Sequence, residues 1–207
     1  MSLTALERPA ESEPQGSLVL LHGRGADEHD LYPLLDALDP ARSLHGYTPQ
    51  GPLTLPPGGR HWYRLGGIPT PDPDTFWPSF VTLAAFLDAV PKPLVLGGFS
   101  QGAVMSYATG LGRRPEQRPV ALIPLSGFMP AVDDLELDLS GLDGFPVAIA
   151  HGSLDPVIPV DYSRAARDAL VDSDADVAYH EGPYGHTIDP GIVPALRGVV
   201  ARALGPK

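Results

Sequence analysis

The chain has 207 residues and a formal net charge of −11, from 25 acidic and 14 basic residues. That sign argues against nucleic acid and anionic membrane surfaces as partners, since both require a basic face. Cysteine is absent, which excludes a disulfide framework, a thiol nucleophile, an Fe–S cluster and a cysteine-based zinc site.

Residues 1–207 are expected to form one domain, because this length leaves little room for two. Residues 1–16 read as an N-terminal segment without a basic n-region or apolar h-region, so a cytoplasmic protein is expected. Residues 17–22 (SLVLLH) read as a buried strand. Leu31, Leu34, Leu35 and Leu38 then fall on one helical face. Residues 44–48 form a weak strand. The stretch 46–78 has no sustained period and is rich in proline, glycine and aromatic residues, the character of a loop beside an active site. Phe80, Leu83, Ala84 and Leu87 predict a helix with Pro78 in its first turn. The longest run without charge, 93–112, changes character halfway. It reads as a strand over 93–99 and a helix over 101–111 rather than a bilayer helix. Strands follow at 120–125 and 145–150. Between the two lies an acidic connection, 131–144. Tyr162, Ala165, Ala166, Ala169 and Leu170 mark a helix, 175–180 the last strand, and Ile192, Leu196, Val199 and Ala203 a C-terminal helix. Six strands alternating with five helices predict a mostly parallel sheet covered by helices on both faces.

Gly98-Phe99-Ser100-Gln101-Gly102 is a G-x-S-x-G sequence lying between a predicted strand and a predicted helix. That context suits a serine held on a strained turn at the sheet's edge, with glycines where side chains would collide. A nucleophilic serine needs a histidine base and a carboxylate that fixes its tautomer. Downstream of Ser100 lie His151, His180 and His186. His151 ends a strand and His180 lies within one. His186 follows the last strand in a turn-rich loop, and sites in such sheets lie beyond the carboxyl ends of the strands. Asp155 likewise follows the strand 145–150. Its rivals are Asp161, better placed as a helix N-cap, and Glu181, close in chain to His186. An oxyanion hole in this architecture takes the amide after the nucleophile and one from the loop after an early strand. Those are Gln101 and, within His22-Gly23-Arg24-Gly25, Arg24. His22 is expected to shape that loop.

With LHGRGADEHDL, GGRHWY, LGGFSQGA, PLSGFMP, HGSLDPVIP and GPYGH in this order, the chain resembles the phospholipase/carboxylesterase family of α/β-hydrolases, the group that includes acyl-protein thioesterases. The resemblance runs from about Leu18 to the C-terminal helix. It implies an α/β-hydrolase fold, with Ser100, Asp155 and His186 as catalytic residues and the Arg24 and Gln101 amides as oxyanion donors. Trp62 and Tyr63 fall in the segment near the family's acyl pocket, and Phe128 and Met129 stand where it has a pocket-lining pair. Phe76, Trp77 and Val157 complete the expected substrate-binding set. Arg24 stands where a hydrophobic residue is common. A backbone donor tolerates that exchange, but a cation at the pocket mouth bears on substrate choice.

The expected activity is a serine carboxylesterase acting on small-to-medium acyl esters through an acyl-enzyme. Two alternatives accompany it: a lysophospholipase or acyl-protein thioesterase acting on long chains, and a non-catalytic scaffold that binds a ligand. No cofactor and no metal are implied, since the seven histidines lack HxxxH and HExxH spacing. A small-molecule ester is the expected partner, with no nucleic acid, no stable membrane association, and a monomer or homodimer as the assembly.

Overall fold

A computed structural model describes residues 3–205. In chain order its elements are strand β1 (Ala5–Arg8), β2 (Ser17–Leu21), helix α1 (Tyr32–Leu38), β3 (His45–Pro49), the short pair β4 (Leu53–Thr54) and β5 (Arg60–His61), and α2 (Pro73–Ala89). There follow β6 (Leu94–Phe99), α3 (Gln101–Leu111), β7 (Ala121–Leu125), β8 (Pro146–Gly152), α4 (Asp161–Val171), β9 (Asp176–Gly182) and α5 (Val193–Ala203). Seven strands form one sheet in the order β1-β3-β2-β6-β7-β8-β9. All neighbours are parallel except β1, which runs antiparallel to β3. This is the mostly parallel, helix-covered sheet that the alternating pattern predicts, in the α/β-hydrolase arrangement that the family resemblance implies.

Strand side chains alternate between the two faces, and both faces are apolar because each carries helices. Val19, Leu21, Leu94, Leu96, Val147 and Ile149 belong to the core beneath α2, α3 and α4. Leu18, Leu20, Val95, Ile123, Ala148 and Ala150 belong to the core beneath α1 and α5. That is why β2 and β6 read as unbroken hydrophobic runs.

The structure departs from the sequence reading at several places. β1 lies inside residues 1–16, which showed no strand pattern. It is anchored by the buried Arg8 side chain, whose Nη2 donates to Asp39 Oδ2 at 2.7 Å and to the Leu44 carbonyl at 2.9 Å. Asp39 also accepts from the Ser43 and Leu44 amides, so one carboxylate closes the turn between α1 and β3. The stretch 46–78 is not one loop, since it holds most of β3, the β4–β5 hairpin and the first turn of α2. α2 starts at Pro73, not near Pro78, which lies inside it. Pro73 suits the first helical position because its missing N–H has no partner there. Pro78 removes one intrahelical hydrogen bond. Asp161 is the first residue of α4, whose N-cap is Val160, and it pairs with Arg164 at 2.8 Å.

The turn from β6 into α3 is set by its two glycines. A Cβ at Gly98 would stand 2.4 Å from the Gly102 carbonyl carbon, and one at Gly102 1.9 Å from the Leu21 carbonyl oxygen. The first turn of α3 is therefore pressed against the end of β2, which brings the loop after β2 beside Ser100. Gly102→Ala is expected to destabilise the fold by about 3 kcal/mol or more, because both clashing groups are backbone. An unchanged denaturation midpoint would contradict this packing.

Candidate active site

Four loops at the carboxyl ends of β2, β6, β8 and β9 converge. Ser100 sits at the end of β6 with φ 54° and ψ −117°, a region an L-residue occupies only under constraint. Its amide donates to the Leu125 carbonyl at 2.9 Å, which ties the turn to β7. Its Oγ lies 2.9 Å from His186 Nε2, and His186 Nδ1 lies 2.6 Å from Asp155 Oδ2. A carboxylate can only accept, so Nδ1 carries the proton and Nε2 is left to accept the Ser100 O–H. The His186 ring packs against Phe99, centroid to centroid at 4.8 Å. Nothing in the sequence distinguishes this role for Phe99, the residue before Ser100 in the G-x-S-x-G sequence.

Asp155 is fixed by its own loop. Oδ1 accepts the Val157 amide at 2.8 Å and the Ile158 amide at 3.0 Å, which leaves Oδ2 for His186. Burial pushes its pKa up, but the His186 hydrogen bond and the two amides outweigh burial and hold the carboxyl below the usual aspartate range. His151 is fully buried behind it, with Nε2 at 2.9 Å from the Ile158 carbonyl and 3.2 Å from Asp155 Oδ2. Burial lowers its pKa, and the neutral ring donates from Nε2 toward those oxygens. His180 is half-buried on β9 and takes no part. Glu181 is engaged by Arg164 at 2.6 Å.

Gln101 opens α3, where the first N–H groups have no partner within the helix. On the other side, Gly25 N–H donates to the Arg60 carbonyl at 2.7 Å and Ala26 N–H to the Gly23 carbonyl at 3.3 Å. The Arg24 amide between Gly23 and Gly25 makes no such bond. Both residues line the same cavity as Ser100 and His186. The Gln101 side chain has a second task. Its Oε1 accepts the Trp62 amide at 3.1 Å and its Nε2 donates to the Tyr63 carbonyl at 2.9 Å. His22 shapes the loop as expected: Nε2 accepts the Gly51 amide at 2.9 Å, so Nδ1–H donates to the Gly23 carbonyl at 2.7 Å. Burial lowers its pKa and keeps it neutral in that role.

The cavity has a volume of about 450 Å³, within the range of small-molecule sites. Of the expected substrate-binding residues, Tyr63, Phe128 and Val157 line it. Trp62 and Phe76 do not, because both are fully buried in the core. The Trp62 indole N–H donates to the His22 carbonyl at 2.9 Å, so this side chain braces the loop after β2 instead. Trp77 and Met129 are half-buried against the same core and are not part of the wall. The sequence reading missed Leu65, Gly66, Gly67, Ile68 and Ile158, which complete the lining. Leu65 and Ile68 carry no local signal of this role, since the stretch 46–78 has no period that assigns its residues to a face.

Among the described residues, the cluster of possible metal ligands is Asp27, Glu28 and His29. These side chains already serve one another and Gln50, at 3.2 Å for Asp27–His29 and 2.6 Å for Gln50–Glu28. Among the same residues, no helix is long and apolar enough to cross a membrane.

The sequence model of the phospholipase/carboxylesterase family matches residues 5–200. Acyl-protein thioesterase 1 of Yarrowia lipolytica is 26% identical, with 81% of each chain covered. Acyl-protein thioesterase 1 of Gibberella zeae is 24% identical over 96% of this chain and 95% of its own. Among solved structures, esterase PE8 superposes with a TM-score of 0.80 at 27% identity, covering 97% of this chain and 98% of that one. A Bacillus cereus carboxylesterase superposes with a TM-score of 0.81 at 23% identity, covering 97% and 94%.

Proposed function

The chain belongs to the phospholipase/carboxylesterase family and is an ester hydrolase; from that premise we propose that it is a serine carboxylesterase for small-to-medium acyl esters. The observation that carries this reading is the unbroken hydrogen-bond chain Ser100–His186–Asp155 at the mouth of a largely apolar cavity.

In the first step Ser100 Oγ attacks the ester carbonyl while its proton passes to His186 Nε2. The imidazolium is stabilised by Asp155, which stays ionised. The carbonyl oxygen becomes an oxyanion and accepts from the Gln101 and Arg24 amides, with each donor contributing roughly 3 kcal/mol. Collapse breaks the bond to the alcohol, which leaves with the proton from His186. Water then gives a proton to His186 and attacks the acyl-enzyme. The acid is released, and the proton returns to Ser100.

A second reading, action on long acyl chains, draws on the rim of the cavity. Leu65, Ile68 and Val157 line it yet remain 66%, 37% and 55% exposed, an apolar strip that an extended chain could cover. The test is kcat/KM over a series of p-nitrophenyl esters of increasing acyl length. The proposed function predicts a maximum near about four carbons, the size of group that a cavity of this class encloses. A maximum at about ten carbons or more would favour the long-chain reading.

A further inference from the structure

Beside the cavity holding Ser100 lies a second of about 470 Å³, and the two share Arg24 and Leu65. The second is more polar. Arg24 and Arg64 face it, together with His61 and Thr54. We propose that this arginine pair is an anion subsite, and that the preferred substrates are esters carrying a carboxylate or phosphate on one side of the scissile bond. The proposal rests on Ser100 being the nucleophile and adds the chemical class of its substrate.

Three observations carry it. The other described arginines and Lys92 are all committed: Arg8 to Asp39, Arg42 to Asp36, Arg113 to Asp88, Arg164 to Glu181, Arg197 to the Ala37 carbonyl and so on around the surface. Among the described arginines and lysines, only the Arg24 and Arg64 side chains make no hydrogen bond or ion pair. In a chain with net charge −11, two unpaired guanidinium groups at one cavity are a departure from the rest of the surface. Next, both line one cavity with His61 of β5. His61 is buried and its pKa is lowered, first by burial and in smaller measure by the charges of Arg24 and Arg64. Finally, the carboxylates closest in the chain are engaged elsewhere. Asp27 accepts from His29, Glu28 from Gln50, and Asp72 from Thr75 Oγ1 at 2.6 Å.

A guanidinium presents a planar fork that fits carboxylate and phosphate oxygens two at a time. The apolar wall of Phe128, Val157 and Ile158 suits the hydrocarbon part of the same substrate. The scissile carbonyl would then lie between the two cavities, at Ser100. Elsewhere the acidic surface repels anions, so any preference for an anionic ester must come from a local site.

The test compares matched esters on the intact protein. 4-Acetoxybenzoate against its methyl ester places the anion on the alcohol side. Mono-4-nitrophenyl glutarate against 4-nitrophenyl pentanoate places it on the acyl side. Each ratio of kcat/KM is corrected by the hydroxide rate of the same ester. At low ionic strength the expected result is a preference of about tenfold for the anionic member of at least one pair, falling toward unity at about 0.5 M salt. Arg64→Gln, at an exposed residue whose side chain has no partner, is expected to reduce that preference at least about fivefold. Turnover of the neutral esters with no preference for either anion would overturn the anion subsite and leave the esterase reading standing. No turnover of any ester would overturn the esterase reading and the subsite with it.

Discussion

Ser100→Ala is expected to lower kcat by about 10⁴-fold or more, while the protein remains folded. By the transition-state relation this is roughly 5.5 kcal/mol of lost stabilisation. The substitution removes only Oγ, so the Cβ that the turn already accommodates at φ 54° stays in place. The amide of residue 100 still donates to the Leu125 carbonyl, and the glycine contacts on either side are untouched. The Gln101 and Arg24 amides proposed as oxyanion donors remain as well, so some catalysis above the solution rate is expected from them and from substrate binding. A folded variant with wild-type turnover would remove Ser100 from the mechanism.

Asp155→Asn is expected to lower kcat by a similar factor, about 10⁴-fold, for a different reason. Oδ1 of Asp155 accepts two amides, Val157 and Ile158. An asparagine that keeps them must place its carbonyl oxygen there, so its NH₂ faces His186 Nδ1. A donor opposite Nδ1 forces the proton onto Nε2, which then donates to Ser100 instead of accepting its proton. KM is expected to move little, because Asp155 does not line the cavity. The same carboxyl also carries a stability signature. Its pKa is lowered in the folded state, so its contribution is complete above the unfolded-state pKa and is lost as pH falls through the folded one. In acid titrations the wild type should lose more stability in that range than Asp155→Asn. Equal acid profiles, or a variant with unchanged kcat, would contradict the network.

Much of this site is legible in the sequence because its parts are local. Ser100 is recognised by a strand, a tight turn and a helix within one segment, and the two glycines are explained by contacts of 2.4 and 1.9 Å. Asp155 and His186 each follow a strand directly, so their positions at the carboxyl ends follow from strand assignment alone. What stays hidden depends on contacts distant in sequence. β1 is a short polar strand, and its anchor is Arg8 reaching Asp39 and Leu44 across the fold. Residues 1–16 give no hint of that partner.

The pocket wall is the poorest part of the sequence reading for the same reason. Trp62 and Phe76 have the composition of a substrate groove, yet packing places both in the core, where the Trp62 indole supports the loop after β2. Leu65 and Ile68 take the wall instead. Which residue of 46–78 faces the cavity is decided by the β4–β5 hairpin and by the Gln101 side chain holding Trp62 and Tyr63. Neither is encoded in a local period. Arg24 illustrates both levels. Its amide is placed by the glycines beside it, while its side chain meets a second unpaired arginine, Arg64, only in the folded cavity that both line.

The central claim is that Ser100 is an activated nucleophile. Its most direct test is the intact mass of the protein after incubation with a fluorophosphonate, with Ser100→Ala alongside. One adduct is expected on the wild type and none on the variant. No adduct on folded wild type, or an adduct that persists in Ser100→Ala, would contradict it.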